Sequence, residues 1–337
     1  MSFVVRAARS GDLDQIYEMA KLTGGGFTNL PADREALAIK LERSERAYAA
    51  VDAEPANDLF FLALEDASSG QIRGTALIFA AIGRRWPFYS YRISTLTQRS
   101  EELNRTFSAA MLTLTTDYEG ASEVGGLFLH PNERAGGLGL LLARSRYLFI
   151  AMHRARFGKR VIAELRGVID EAGASPFWDG LAGRFFGMDF READAFNATH
   201  GNQFIADLMP KHPIYLDMLP ESARAVMGVP HPSGRAALRM LEKEGFEMKG
   251  YIDIFDGGPT VEAEIDELKS VAESREGVIA AADAGGGWSC LIAHGFNADF
   301  RCCLGGVEGR EDGVAIDAEA AALLGAETGD SVRYVAR

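Results

Sequence analysis

Apolar and polar residues along the chain alternate in runs that predict short strands and amphipathic helices. Residues 2–7, centred on Phe3-Val4-Val5, read as a strand. After Ser10-Gly11-Asp12, the stretch LDQIYEMAKL has apolar residues at helical spacing. A loop at 23–28 leads to Asp33, placed to cap a second helix running to about Ser44. Residues 59–64 and 72–81 read as strands paired across a turn at 66–70. Residues 84–91, RRWPFYSY, are aromatic and suit a core, an interface or a pocket wall. Residues 92–121 show no clear period and read as a long polar insertion.

The strongest signals lie in residues 122–157. Residues 124–129 form an apolar run broken by Gly125 and Gly126, which suits a buried strand with a bulge. Residues 130–138 are a turn rich in Gly, Pro and Asn. Residues 139–157 place Leu141, Leu142, Tyr147, Leu148, Ile150 and Ala151 as a packed helix would. Downstream, 160–166 reads as a strand with Glu164 and Arg166 embedded in it, charges that need partners or a site. Helices are expected at 175–190, 202–209, 221–227 and 234–245, and a strand at 246–255. Gly257-Gly258-Pro259 marks a boundary, followed by a linker helix to about Ser274 and a β-rich appendage over 275–337.

Composition narrows the function. The 337 residues are 47% hydrophobic and 25% charged, as in a globular protein large enough for more than one domain. A net charge of −13 argues against a general binder of nucleic acid or anionic membrane. The three cysteines lie close together near the C-terminus without a disulfide framework or zinc spacing, and the six histidines are scattered. No metal is expected. The N-terminus lacks the layout of a signal peptide and no apolar run reaches membrane-spanning length, so the expected location is cytoplasmic.

The turn contains Arg134-Ala135-Gly136-Gly137-Leu138-Gly139, an R-x-x-G-x-G pattern. A helix N-terminus offers unpaired N–H groups and a positive dipole end, and glycines let a phosphate approach them. A P-loop would need Lys-Ser/Thr where Leu140 and Leu141 stand, and Leu142 occupies the third small position of a Rossmann fingerprint. A glycine-rich connection without a ligand is the bland alternative. Glu123, at the start of the strand, is a candidate general base or acceptor contact, or else a strand-end partner for an arginine.

The strand, turn and helix resemble the acyl-CoA pyrophosphate loop of the GNAT N-acyltransferases. A wider and more specific resemblance is carried by SEVGGLFLHPNERAGGLG, VIAELRGVIDEAGASPFWDGLAGRFFGMDF, FIADLMPKHPIY, VPHPSGRAALRMLEKEGF and YIDIFDGGPT, with TGGGFTNLPAD near the start. In this order they resemble the arginine N-succinyltransferases of bacterial arginine catabolism, over nearly all of residues 3–263. The resemblance implies an α+β, GNAT-like acyl-CoA N-acyltransferase fold, with a mixed central sheet flanked by helices, over 1–263. It leaves a linker helix and small β-rich domain over 264–337.

The implied reaction moves a succinyl group from succinyl-CoA to the α-amino group of L-arginine. His231, set between two prolines, is implied as the proton donor to the departing thiolate, and a structural histidine is its alternative. Leu127 is implied as a backbone contact to the acyl-CoA, and Arg134, Gly137 and Gly139 as the diphosphate site. Glu164, Asp170 and Glu171 could meet a guanidinium, although Asp170 and Glu171 suit solvated surface better. A homo-oligomer, with a dimer as one form, is expected. Val124-Gly125-Gly126 departs from the family pattern, which keeps another short-chain acyl-CoA or amino-acid acceptor open; a non-catalytic CoA-binding subunit is a separate alternative.

Overall fold

The computed structural model describes residues 2–23, 29–50, 54–134, 136–200 and 203–337. The glycines at 24–26 and Ala135 of the R-x-x-G-x-G turn lie outside the described residues. In chain order, β1 (Phe3–Ala7) leads to α1 (Leu13–Lys21) and α2 (Arg34–Ala49). Then come β2 (Leu59–Asp66), β3 (Gln71–Phe79), β4 (Ser90–Ser100), β5 (Arg105–Thr115) and β6 (Ser122–Leu129). The long helix α3 (Leu138–Met152) precedes β7 (Arg160–Glu164). Helices α4 (Pro176–Gly180), α5 (Gly183–Phe186), α6 (Phe190–His200) and α7 (Gln203–Leu208) follow, then β8 (Ile214–Tyr215) and α8 (Glu221–Arg224). Next are α9 (Arg235–Glu244), β9 (Glu247–Asp253), β10 (Pro259–Glu264) and α10 (Lys269–Ala272). The chain closes with β11 (Arg275–Ala281), β12 (Trp288–His294), β13 (Arg301–Arg310), β14 (Gly313–Ile316), α11 (Ala318–Leu324) and β15 (Ser331–Ala336).

These elements form two compact units, neither continuous in sequence. The first is Met1–Ala81, Ser122–Val161 and Glu264–Arg337; the second is Ile82–Ala121 and Ile162–Ala263. In the first unit, β6, β3, β2, β1 and β13 lie side by side in antiparallel pairs. Ile16 and Met19 of α1 and Leu37 and Leu41 of α2 pack on Phe61, Leu77 and Phe128 of this sheet. Helix α3 is buried from Leu141 to Ile150, on every face, because sheet and C-terminal strands both cover it.

The C-terminal region is more than an appendage. Strands β12, β15, β11, β14 and β13 pair in a closed ring, with β11–β14 its parallel pair. Strand β13 is long enough to serve two neighbours on one edge: Arg301–Cys303 pair with β1, and Val307–Arg310 with β14. The three cysteines are free thiols buried in β12 and β13.

The second unit orders its strands β7, β10, β9, β4, β5, β8. Its core gathers Tyr91, Phe177, Trp178, Phe190, Ile252 and Phe255. Three expectations change here. Residues 92–121 hold the β4–β5 hairpin, paired in unbroken register from Ser90↔Thr115 to Ser100↔Arg105. Few of its outer side chains are buried, so no apolar alternation marks it. Residues 175–190 are not one helix. Ser175 caps α4, Leu181 breaks the chain at φ −129, ψ −85, and Gly187 ends α5 at φ 63. Finally, 259–264 is strand β10, paired with β9 across a Gly257-Gly258 turn, where a linker helix was expected.

Candidate active site

In the first unit, β6 carries the expected bulge. Thr75 pairs with Phe128 and Leu77 with Gly125, so Gly126 and Leu127 face Ala76 alone. Gly126 sits at φ 56, and a Cβ there would overlap the Leu77 side chain. Thr75 Oγ1 donates to the Gly126 carbonyl at 3.0 Å and fixes the distortion. Leu127 is half-buried within the bulge, outside the regular β3 ladder.

Glu123 is 8% exposed at the start of this strand. Asn29 Nδ2 donates to Glu123 Oε1 at 3.4 Å, and a Cβ on Gly125 would come within 2.5 Å of that amide. Gly125 therefore makes room for Asn29 beside the carboxylate. Lys40 of α2 feels the Glu123 charge; burial holds its ammonium down to about 8. Sequence reasoning missed Asn29 and Lys40, since no local pattern links them to β6.

The turn after β6 uses its glycines unequally. Gly136 and Gly137 adopt φ 77 and 86, and Gly137 is the N-cap of α3. Gly139 is helical and open: a Cβ there would meet only Leu129, at 3.9 Å. The first two glycines turn the chain into the helix, and the third keeps its mouth clear. Leu140 and Leu141 donate to the Gly137 carbonyl at 3.0 and 3.1 Å, while the N–H groups just before them precede the intrahelical ladder. Arg134 is exposed, with no hydrogen-bond partner among the described residues. The Arg337 guanidinium also reaches this turn, donating to the Gly136 carbonyl at 3.2 Å. Its remoteness in sequence hid it.

In the second unit, His231 lies between Pro230 and Pro232, partly exposed. Its backbone N–H donates to the Arg166 carbonyl at 2.8 Å. Ring atom Nδ1 is 2.7 Å from Ser233 Oγ and 3.3 Å from the Ser233 amide, which orients the imidazole. Nε2 has no hydrogen-bond partner among the described residues. Burial, and then the Arg166 charge, hold the imidazole below its usual range, so it is mostly neutral at neutral pH.

Of the guanidinium candidates, Asp170 and Glu171 are exposed, and Asp170 Oδ1 is engaged by the Ala174 amide at 2.8 Å. Glu164 ends β7, 3.5 Å from Thr260 Oγ1. A cavity of about 450 Å³ is lined by Gly285–Trp288 and Val307–Gly309, and by none of the candidate residues. Among the described residues no three His, Cys, Asp or Glu side chains gather as a metal site, and no helix is long and apolar enough to cross a membrane.

A bulged strand with a buried carboxylate at its start, a glycine turn after it and a long buried helix with an amide-lined end are the framework of an acyltransferase. The chain belongs to the arginine N-succinyltransferase family. The family model "Arginine N-succinyltransferase beta subunit" matches residues 3–270, and that of its C-terminal domain matches 275–336. The arginine N-succinyltransferase of Enterobacter sp. (strain 638) is 41% identical over 334 residues, covering 98% of this chain and 97% of its own. That of Salmonella schwarzengrund is 41% identical over 335 residues, with the same coverage. The solved structure of arginine/ornithine succinyltransferase subunit AI from Pseudomonas aeruginosa is 34% identical, with TM-score 0.89, over 99% of this chain and 98% of its own. An α+β fold with a mixed sheet and a β-rich C-terminal part is thus the architecture observed, shared with the Pseudomonas structure.

Proposed function

We propose that the chain transfers the succinyl group of succinyl-CoA to the α-amino group of L-arginine, giving N2-succinylarginine and CoA. The name shared by its full-length relatives supports the substrates. The observation that carries the chemistry is the Gly136-Gly137 turn, which delivers β6 into α3 and leaves amides at the helix mouth for a diphosphate.

In this reading the residues divide the work. Arg134, Gly137 and Gly139 hold the diphosphate. Backbone groups at the Leu127 bulge hold the acyl-carrying arm. Glu123, with Asn29 and Lys40 around it, takes the first proton from the substrate ammonium. The free amine attacks the thioester carbon, and the tetrahedral adduct bears a second nitrogen proton. His231, neutral at the outset, accepts that proton and passes it to sulfur as the C–S bond breaks. Nε2, which has no hydrogen-bond partner among the described residues, is the ring atom that exchanges protons. The products are an amide and CoA thiol, with one net proton released through Glu123.

Ornithine is a second acceptor to consider, because the Pseudomonas relative is named for both amino acids. A homo-oligomer in the cytoplasm remains our proposal for the protein's state. Product analysis with succinyl-, acetyl- and malonyl-CoA against arginine and ornithine tests the reading. Preference for succinyl-CoA and arginine supports it; preference for another pair replaces it. CoA binding without turnover points to a non-catalytic subunit.

A further inference from the structure

Arg166 follows β7 directly, and its backbone is held from several sides. Its carbonyl accepts the His231 N–H, and Gly167 bridges to Pro230. The Gly167 N–H donates to Asp256 Oδ2 at 2.7 Å, and Gly258 N–H to Asp256 Oδ1 at 2.8 Å. A Cβ on Gly167 would stand 2.8 Å from Gly258 N, so the approach leaves no room for a side chain.

The guanidinium is treated differently from its backbone. It makes no ion pair among the described residues, and its Nε is buried without a hydrogen-bond partner. Its charge reaches His231, Asp194 and Asp256. Neither acid neutralises it well. Asp256 spends both oxygens on backbone amides, and burial and Asp253 push it up to about 7. Burial also raises Asp194. A half-buried guanidinium with an unused donor is costly unless something pairs with it. Its planar fork matches a carboxylate.

We propose that the Arg166 guanidinium is the receptor for a substrate carboxylate, held on the residue whose carbonyl anchors His231. The inference rests on the proposed reaction, which brings two such groups: the distal carboxylate of the succinyl chain and the α-carboxylate of the acceptor.

The test compares wild type with Arg166→Met and Arg166→Lys in two arms. The donor arm sets succinyl-CoA against acetyl-CoA, with arginine. The acceptor arm sets arginine against agmatine, its analogue without a carboxylate. In one arm the Met variant loses about 100-fold in kcat/KM for the carboxylate-bearing substrate and little for its analogue. That arm identifies the source. The Lys variant, which keeps the charge without the fork, shows an intermediate loss in the same arm and guards against misfolding of the Met variant. Calorimetric binding of the same four ligands repeats the comparison without turnover, so failure of the transfer reaction is distinguishable from failure of this assignment. Equal losses in both members of both arms, or no loss in either, overturn it.

Discussion

The backbone N–H of His231 donates to the carbonyl of Arg166 at 2.8 Å, tying the histidine's loop to the segment that leaves β7. One residue on, Gly167 packs against Asp256 and Gly258 with no space for a methyl group. Gly167→Ala is expected to lose roughly 1–3 kcal/mol of stability through overpacking and to lower kcat by displacing the loop. Thermal unfolding and steady-state kinetics check this. A variant as stable and active as wild type contradicts the clamp.

His231→Ala is expected to lower kcat by about 10² to 10⁴, the usual worth of a positioned proton carrier, while CoA affinity changes little. Because burial and Arg166 hold the imidazole low, the acid limb of kcat/KM assigned to it lies below pH 6.5. Replacing Arg166 by Met removes one cause and should move that limb upward. A limb that stays in place rules out the electrostatic link.

Gly137→Ala forces a side chain into a position at φ 86, against the Arg337 guanidinium. The acyl-CoA Kd should rise about tenfold by calorimetry, equivalent to about 1.4 kcal/mol. Gly139→Ala, at a helical and open site, should leave folding intact and weaken binding only by obstructing the helix mouth. Unchanged affinity in both variants would remove the diphosphate from this turn.

His153 gives the fold an acid limit. It is 3% exposed and stacks on Phe149, with Nδ1 donating to the Phe149 carbonyl at 2.8 Å. Nε2 accepts the Asn297 N–H at 3.0 Å, so the ring is held neutral. Burial holds it down to about 4 from an ordinary 6.5. A depressed folded-state value means that its contribution, roughly 3 kcal/mol, is complete above pH 6.5 and disappears as pH falls through 4. Wild type should lose more stability than His153→Gln over that interval. Parallel denaturation profiles contradict this.

The sequence revealed most where side-chain pattern and backbone need coincide. Gly125 and Gly126 signalled the bulge of β6, and the bulge is there because Thr75 and Leu77 pack on it. Asp33 signalled the start of α2 and accepts the Ala36 amide at 2.8 Å. The β4–β5 hairpin was illegible because beyond Tyr91 and Leu112 it buries little, leaving backbone pairing to define it. The surroundings of the candidate residues were hidden for another reason. Asn29 and Lys40 approach Glu123, and Arg337 approaches Gly136, only once distant segments have folded together. Arg166 was noticeable as a charge in an apolar run, but its lack of a partner could be read only from the structure.

The central claim is that this chain joins succinate to the α-nitrogen of arginine at the expense of a CoA thioester. Mass spectrometry of the purified protein incubated with succinyl-CoA and L-arginine reads it most directly. The account predicts N2-succinylarginine and free CoA in equal amounts; an intact thioester beside unmodified arginine would contradict it.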